Sequence, residues 1–363
     1  MIPFSTLDYL HESLKDELSD AFNRVLEKGW FISGTECEAF ESEYAEYTGA
    51  KYAVGCGNGL DSISISLMAL GIGKGDEVIV PAFTFIATAL AVKRVGATPI
   101  FVDVEQDTSL IDVNRIEDVI TEKTRAIIPV HLYGQPVNIT SIQKIAKKYG
   151  LLVVYDAAQA HGAKYNGKGI STYGNSTCYS FYPGKNLGAL GDGGAITTNT
   201  DIAKTMKMIT NYGSSIKYHH DCLGINSRLD ELQAAFLRVK LRQLDKAIDE
   251  RKKIANRYLD EIDNETISLP KILNGDHVWH IFSIHTQQRN KVIEYLKKRG
   301  IETNIHYPIP IHLQKSFSGY NLSKGTYPVT ETLSETEISL PLYYGMDKKD
   351  VDYVIKTINE MRI

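Results

Sequence analysis

The chain has 363 residues, of which 43% are hydrophobic and 23% are charged, proportions typical of a soluble globular protein with a sizeable core. Its 40 basic and 44 acidic residues leave a net charge of −4, and no basic block marks a surface for nucleic acid. No apolar stretch approaches the length that a bilayer requires.

The N-terminal segment and the cysteines indicate a cellular compartment. Residues 1–8 lack the basic start and long apolar core of a signal peptide. Cys37, Cys56, Cys178 and Cys222 are widely spaced, with neither paired metal spacing nor the density of a disulfide scaffold. We therefore expect reduced thiols and a cytoplasmic location.

Short apolar runs alternate with amphipathic stretches through the first two thirds of the chain. The predicted strands are 52–54, 77–80, 99–104, 126–130, 151–155, 178–182 and 194–198, and helices are predicted at 62–70, 88–95, 113–120 and 139–149. Helical crossovers between strands imply an α/β fold with a mostly parallel sheet. Ligands bind such sheets at the carboxyl ends of the strands.

The last third predicts a long helix followed by a smaller α+β unit. Residues 228–262 contain no proline or glycine and place apolar residues at helical spacing. An apolar stretch at 278–284, a helix at 291–299, a strand at 301–305 and a closing helix near 350–362 complete the chain. We predict a large domain over 1–245 and a small C-terminal domain over 246–363.

The glycine-rich turn at 57–61 follows a short predicted strand and opens a helix. Glycines permit tight turns, and free amides at a helix start bind phosphate. The Gly-x-Gly-x-x-Gly spacing of dinucleotide sites is not met, because the third glycine, counted from Gly55 and Gly57, would fall at position 60, where Leu60 stands. A cradle for one phosphate fits better than a pyrophosphate site, with a plain tight turn as the alternative.

Asp156 and Gln159 follow the predicted strand 151–155. An aspartate in that position is often only a helix cap. The small pair Ala157 and Ala158 leaves room for a flat ring to approach the backbone, and Gln159 can donate a hydrogen bond to a phenolate oxygen on that ring. His161 is interpreted as a structural histidine.

Lys185 lies in the segment 180–188, Ser-Phe-Tyr-Pro-Gly-Lys-Asn-Leu-Gly. Most lysines are solvated charges on the protein surface. A surface lysine does not need aromatic, proline and glycine residues around it, so the surroundings of Lys185 favour a functional role. A lysine amine can form a Schiff base with the aldehyde of pyridoxal phosphate, while an aspartate such as Asp156 keeps the pyridine nitrogen protonated. The Ser180 hydroxyl could reach the cofactor phosphate.

Two aromatic clusters offer further contacts. Phe83 and Phe85 follow a predicted strand and could stack on a cofactor ring, although core packing is the commoner fate. The segment 306–312, His-Tyr-Pro-Ile-Pro-Ile-His, lacks the spacing to a third metal ligand, so a substrate-contact loop is preferred to a zinc site.

Together these segments resemble the sugar aminotransferases of the DegT/DnrJ/EryC1/StrS family over nearly the whole chain. The resemblance is carried by Gly34 with Phe40-Glu41, and by 75–78, 101–103, 156–159, the lysine segment and 224–229. It implies a fold-type-I pyridoxal phosphate enzyme whose large domain contains a mostly parallel seven-stranded sheet. It also implies a homodimer with each active site at the subunit interface.

The resemblance implies a role for each matching position. Lys185 would be the catalytic residue that forms the Schiff base and then shuttles a proton as base and acid. By the matching positions, the cofactor-binding residues would be Gly59, Leu60, Asp156, Gln159, Ser180, Lys185 and Asn226 of the partner subunit. Phe85 is added to them as the candidate for stacking on the ring. Candidate substrate contacts are Tyr182, Lys217, Arg228, His306 and Tyr307.

Residues 57–61 and 181–192 look like the branch that aminates C3 of dTDP-linked 3-keto-6-deoxyhexoses, with L-glutamate as the amino donor. Many C4-aminating members carry Ser-Gly-Thr where this chain has Asn58-Gly59-Leu60. A C4 aminotransferase, a dehydratase, a non-catalytic regulatory relative and a dinucleotide oxidoreductase stay open as alternatives. Dehydratases of the family carry histidine in place of the lysine, so Lys185 favours transamination.

Overall fold

A computed structural model describes residues 1–273 and 275–362. The helices are α1 (Asp8–Ser13), α2 (Lys15–Lys28), α3 (Thr35–Thr48), α4 (Gly59–Ala69), α5 (Ala87–Arg94), α6 (Ile139–Tyr149), α7 (Ile202–Thr210), α8 (Glu231–Leu241), α9 (Leu244–Glu261), α10 (Arg289–Lys298), α11 (Pro328–Thr336) and α12 (Lys348–Asn359). The strands are β1 (Tyr52–Cys56), β2 (Glu77–Pro81), β3 (Thr98–Val102), β4 (Thr124–Ile127), β5 (Leu152–Asp156), β6 (Lys164–Tyr165), β7 (Lys168–Gly169), β8 (Ser176–Ser180), β9 (Gly194–Thr198), β10 (Ser214–Ile216), β11 (His219–His220), β12 (Phe282–His285) and β13 (Glu337–Leu340).

A seven-stranded sheet with the order β1-β9-β8-β5-β4-β2-β3 forms the centre of the large domain. The neighbouring pairs from β3 through β8 are parallel, and β9 runs antiparallel to both β1 and β8. The predicted α/β fold with a mostly parallel sheet is therefore confirmed. Because parallel strands end at one edge, the residues that follow β2, β5 and β8 are brought together there.

The sheet is covered on both faces, which explains why its strands read as continuous apolar runs. Val78 and Val154 belong to the hydrophobic cluster on one face, whereas Ile79 and Val153 belong to the cluster on the other. Successive strand residues point to opposite faces, so each strand supplies both clusters. The resulting core fixes the strand ends that carry the polar residues of the site.

The C-terminal part builds a separate hydrophobic cluster around the antiparallel pair β12 and β13. Trp279 and Phe282 pack there with residues of α9, α10 and α12. Ile2 also belongs to this cluster and forms a bridge with Ile301, so the chain start packs on the C-terminal unit. The division at 245/246 stays a prediction.

Three predicted elements differ from the structure. The helix predicted over 228–262 is two helices, α8 and α9, and α8 begins only at Glu231 because the backbone of Asp230 is extended (ψ 145°). Residues 113–120 form two short 3₁₀ turns, the first capped by the Asp112 side chain. The predicted strand 301–305 forms only isolated bridges, at Ile301 and Asn304.

Candidate active site

A cavity of about 640 Å³ opens at the carboxyl-terminal edge of the large sheet. One wall comes from the large domain: the turn between β1 and α4, the loop after β2, and the ends of β5 and β8. The opposite wall comes from α9 and from C-terminal segments near residues 280, 306 and 342. The predicted site residues that line it are Gly59, Leu60, Phe85, Asp156, Gln159, Ser180, Tyr182, Lys185, His306 and Tyr307.

Asp156 is the last residue of β5 and is 6% exposed. Its Oδ2 accepts a hydrogen bond from Thr88 Oγ1 at 2.8 Å, and its Oδ1 accepts one from the Ala158 backbone N–H at 3.1 Å. Burial raises the pKa of the Asp156 carboxyl, while these hydrogen bonds and the charge of Lys185 act in the opposite direction. A cationic ring nitrogen placed against this carboxylate would stabilise its ionised form.

Lys185 lies in the loop after β8, where its backbone N–H donates to the Tyr182 carbonyl at 2.8 Å. No described residue forms a hydrogen bond or ion pair with its Nζ. Burial lowers the pKa of the Lys185 amine to about 8, with the nearby Asp156 charge opposing that shift. Near neutral pH part of the amine is unprotonated, which is the form that attacks an aldehyde.

Gln159 is held so that its amide nitrogen faces the cavity wall. Its Oε1 accepts a hydrogen bond from the Tyr133 backbone N–H at 2.6 Å, and its Nε2 donates to the Tyr307 hydroxyl at 3.0 Å. The first contact fixes which end of the amide is the acceptor. The second proton on Nε2 is left to donate to a ligand, as the sequence prediction requires.

The start of α4 forms a cradle for a small anion. The Asn58 side chain caps the helix by accepting from the Asp61 backbone N–H at 2.9 Å, and the amides of Gly59 and Leu60 belong to the first turn. A Cβ built on Gly59 would fall 2.6 Å from Ser180 Cβ, so only glycine leaves this space open beside the serine. Amides, hydroxyl and space together fit a phosphate group.

Two aromatic rings, one from each wall, meet at one side of the cavity. The rings of Phe85 and Tyr307 lie 5.5 Å apart at 39°, and Phe85 is 54% exposed toward the opening. His306 stands beside Tyr307, and burial lowers the pKa of its imidazole to about 4, with the charge of Lys185 adding to the effect. His306 is therefore neutral at physiological pH. Tyr182 is exposed at the mouth.

Three predicted residues are not brought to this cavity within one chain. Lys217 is exposed on the hairpin of β10 and β11, with its Nζ 5.2 Å from the Tyr218 ring centroid. Asn226 is exposed, and its role in the site of a partner subunit stays a prediction. Arg228 donates from Nη1 to Asn211 Oδ1 at 2.8 Å.

The structure adds residues that the sequence reasoning did not single out. Thr88 on α5 holds Asp156, and Tyr133 holds Gln159 through its backbone. Arg251 of α9 and His280 line the cavity as well. The nearest signal in the sequence was the helix predicted around Thr88, but no motif indicated that its first turn faces the carboxylate.

The chain is similar to known proteins over nearly its whole length. The profile of the DegT/DnrJ/EryC1/StrS aminotransferase family matches residues 12–359. The chain is 47% identical over 361 residues to the dTDP-3-amino-3,6-dideoxy-alpha-D-galactopyranose transaminase of Aneurinibacillus thermoaerophilus, covering 99% of each protein.

Two solved structures share the fold. DesV of Streptomyces venezuelae, solved in complex with a ketimine intermediate, has a TM-score of 0.98 and 41% identity, with 100% of this chain and 99% of that chain covered. NtdA of Bacillus subtilis, solved with bound cofactor PMP, has a TM-score of 0.90 and 33% identity, covering 98% of this chain and 82% of that chain.

Proposed function

Because the chain belongs to the DegT/DnrJ/EryC1/StrS aminotransferase family, we propose that it aminates C3 of a dTDP-linked 3-keto-6-deoxyhexose. L-Glutamate would supply the amino group, and the products would be a dTDP-3-amino-3,6-dideoxyhexose and 2-oxoglutarate. The protein is an aminotransferase that depends on pyridoxal phosphate. The observation that carries the proposal is the meeting of Lys185, Asp156 and Gln159 in one cavity, in a chain so similar to a dTDP-sugar 3-transaminase.

The residues of the cavity fit the cofactor. The Gly59 and Leu60 amides with Ser180 would hold the phosphate, Asp156 would face the pyridine nitrogen, and Gln159 would donate to the ring oxygen. Phe85 would lie against the ring. When bound, the cofactor supplies an electron sink for the carbanion that forms at the amino-donor carbon.

Lys185 would carry the protons of the reaction. A Nζ whose pKa is about 8 can both accept and release a proton near neutral pH, which suits a group that works as base and then as acid. The ionised Asp156 would oppose deprotonation of the ring nitrogen, because loss of that proton would leave a buried carboxylate without a cationic partner. His306, Tyr307 and Tyr182 would contact the sugar.

The direct test combines colour and product analysis. We expect the purified protein to be yellow, and borohydride to bleach it by fixing the cofactor onto the peptide that contains Lys185. With glutamate and separate 3-keto and 4-keto isomers of the dTDP-linked sugar, 2-oxoglutarate should form beyond one equivalent per site only with the 3-keto isomer. A protein that stays colourless after addition of the cofactor contradicts the proposal. Turnover of only the 4-keto isomer contradicts the C3 assignment. A parallel assay with the UDP-linked 3-keto sugar tests whether the enzyme prefers dTDP.

We further propose a homodimer in which each site is completed by the partner. Exposed apolar side chains support this, since one chain leaves Trp30, Phe31, Ile216, Tyr218 and Leu223 uncovered. Asn226 and the hairpin of β10 and β11 lie in the same region of sequence, and Lys217 and Arg228 would then provide positive charge for the pyrophosphate.

Mixing two inactive variants tests the shared site. In a mixed dimer, the K185A subunit still has Asn226 and the N226D subunit still has Lys185. If Asn226 acts across the interface, the site that contains Lys185 of the N226D subunit is completed by Asn226 of the other subunit, so one of the two sites is intact. Random assortment should restore about a quarter of the wild-type activity. No recovery after subunit exchange, with exchange verified by mass spectrometry, contradicts the shared site.

A cytoplasmic location is also proposed. The four cysteines are free, which suits a compartment where thiols stay reduced. Among the described residues, no helix combines the length and the apolarity needed to cross a membrane. Cell fractionation with an antibody to the protein would test the location.

A further inference from the structure

A buried carboxyl lies directly behind His306. Glu337 begins β13 and is 0% exposed, and its Oε2 accepts a hydrogen bond from the His306 backbone N–H at 2.6 Å. Its Oε1 accepts from Ser339 Oγ at 2.5 Å. The same Oγ lies 2.8 Å from His306 Nδ1. Carboxyl, hydroxyl and imidazole therefore form one chain of hydrogen bonds that ends on a ring lining the cavity.

The ionised carboxylate determines the direction of every bond in this chain. A carboxylate can only accept, so the single hydroxyl proton of Ser339 points to Glu337. Ser339 Oγ is then left to accept, and it can do so only from an Nδ1–H of His306. A neutral imidazole carries one N–H, so Nε2 presents a lone pair. No described residue forms a hydrogen bond with that Nε2.

Protonation of the carboxyl reverses the chain. The carbonyl oxygen of a carboxylic acid is its better acceptor, so Oε2 stays the carbonyl oxygen that accepts from the His306 backbone N–H, and the added proton resides on Oε1 and is donated to Ser339 Oγ. The hydroxyl then donates to Nδ1, and the imidazole proton resides on Nε2. The assembly gains one proton overall, and the imidazole is neutral in both states.

We propose that Glu337 and Ser339 are positioning residues that set the tautomer of His306, and thereby decide whether Nε2 accepts or donates a hydrogen bond to the substrate. Only the identity of that partner, a hydroxyl of a nucleotide-linked keto sugar, rests on the proposed function. With the carboxylate form, Nε2 accepts from the sugar hydroxyl. With the carboxylic acid form, Nε2 donates instead.

Both forms are within reach in the physiological range, because burial raises the pKa of Glu337 to about 7. Other titratable groups surround the hydrogen bonds between Glu337, Ser339 and His306, so a pH profile of activity alone would combine several titrations. Those that face Glu337 or His306 are Tyr133, Lys185, His280, His285, Arg289 and Tyr307. A substitution that imposes one form at every pH separates this chain from them.

Glu337→Gln imposes the reversed chain. The amide oxygen stays opposite the His306 backbone N–H, so the amide nitrogen faces Ser339 and donates to its hydroxyl. The holoenzyme labelled with ¹⁵N-histidine is compared by NMR, and the His306 signals are assigned by their loss in H306Q. Above pH 8 the wild type should be protonated at Nδ1 and E337Q at Nε2. The same tautomer in both proteins overturns the proposal.

Glu331→Gln is the matched control. Glu331 is also a buried glutamate bonded to a histidine, with its Oε1 3.0 Å from His312 Nε2. It does not line the cavity, so the His306 signals should be unchanged in E331Q. If E337Q does not fold, titration of the wild type provides the second measurement. The His306 proton should then move from Nδ1 to Nε2 as the pH falls from 8.5 to 6, in the range of the Glu337 pKa of about 7. An unchanged tautomer across that range overturns the proposal.

Kinetics test the substrate contact separately. The wild type presents a lone pair to the sugar hydroxyl, whereas E337Q presents an N–H, so the hydroxyl must reverse its direction to keep the contact. This mismatch should lower kcat/KM for the keto sugar by up to about tenfold, the effect of one hydrogen bond between neutral groups, and should cause no further loss in an H306Q background. A switched tautomer with unchanged kcat/KM contradicts the contact with the sugar. A switched tautomer in a protein that accepts no keto sugar contradicts the proposed function and leaves the tautomer control standing.

Discussion

The cavity and the surface segment 212–228 differ in how far their side chains are exposed to solvent. Asp156 is 6% exposed and has hydrogen-bond partners on both oxygens. In the surface segment, Tyr218 is 82% exposed and Leu223 is 89% exposed. One chain therefore encloses Asp156, Lys185 and Gln159 by itself, whereas Lys217 and Asn226 in the surface segment stay exposed.

This contrast determines what each region can do chemically. Exclusion of water lowers the pKa of Lys185 to about 8 and that of His306 to about 4. The shift of Lys185 brings its pKa close to neutral pH, which suits proton transfer, whereas the shift of His306 keeps its imidazole neutral as a hydrogen-bond partner. An exposed residue such as Lys217 is screened by water and salt, so it contributes charge and contact rather than acid–base chemistry. Substitutions in the cavity should therefore act on turnover, and those on the surface segment should act on binding.

The sharpest test of this division is Lys185→Ala. Removal of the amine takes away both the attachment point of the cofactor and the proposed proton carrier, so kcat should fall by about 10⁴-fold or more. Borohydride should no longer fix the cofactor to the protein. Added methylamine, which restores an amine without the side chain, should recover part of the activity. A K185A protein with near wild-type turnover would show that the cavity is not the site of chemistry.

Asp156→Asn removes a charge while keeping the shape. The asparagine oxygen can accept from the Ala158 backbone N–H, and its amide nitrogen can donate to Thr88 Oγ1, so the fold should persist. Loss of the charge that stabilises a protonated ring nitrogen should lower kcat by about 10²- to 10³-fold.

Thr88→Val is the comparison variant for that experiment. It removes one hydrogen bond to Asp156 and keeps the carboxylate, so the loss should be about tenfold. Steady-state kinetics with both variants, checked by thermal melts for intact folding, would measure the difference. Equal losses of kcat in D156N and T88V would mean that the position of the residue 156 side chain matters more than its charge.

The sequence predicted the cavity better than it predicted the surface segment. Lys185, Asp156 and Gln159 lie in segments at strand ends, and parallel topology brings such ends together, so local motifs were sufficient to group them. The family assignment and the mostly parallel sheet are confirmed, whereas the roles of these three residues stay predictions. The break between α8 and α9 had no proline or glycine to mark it. No sequence motif marked the hydrogen bonds that link His306 to Glu337 and Ser339 either, because they join residues more than thirty positions apart.

The pH dependence of cofactor attachment sharpens the same contrast. The Lys185 ammonium must lose a proton before it attacks an aldehyde, and its pKa is lowered from 10.5 to about 8. The attachment rate of the apoprotein should therefore rise about tenfold from pH 7 to pH 9 and level off above pH 8 to 9. Stopped-flow absorbance follows the reaction. A rate that continues to rise toward pH 10.5, as for an ordinary lysine, would mean that the amine is not desolvated.

The smallest effect is expected from Lys217→Ala on the exposed hairpin. A single exposed charge contributes about 1 kcal/mol, so KM for the nucleotide sugar should rise about fivefold with little change in kcat. The effect should shrink as the salt concentration increases, since the interaction is screened. Lys51→Ala is the matched control, because Lys51 is also exposed beside a tyrosine, with its Nζ 4.8 Å from the Tyr52 ring centroid. A rise in KM for K51A as large as that for K217A would mean that overall charge, rather than the hairpin, attracts the substrate. A fall in kcat for K217A would contradict the separation between a cavity for chemistry and a surface for binding.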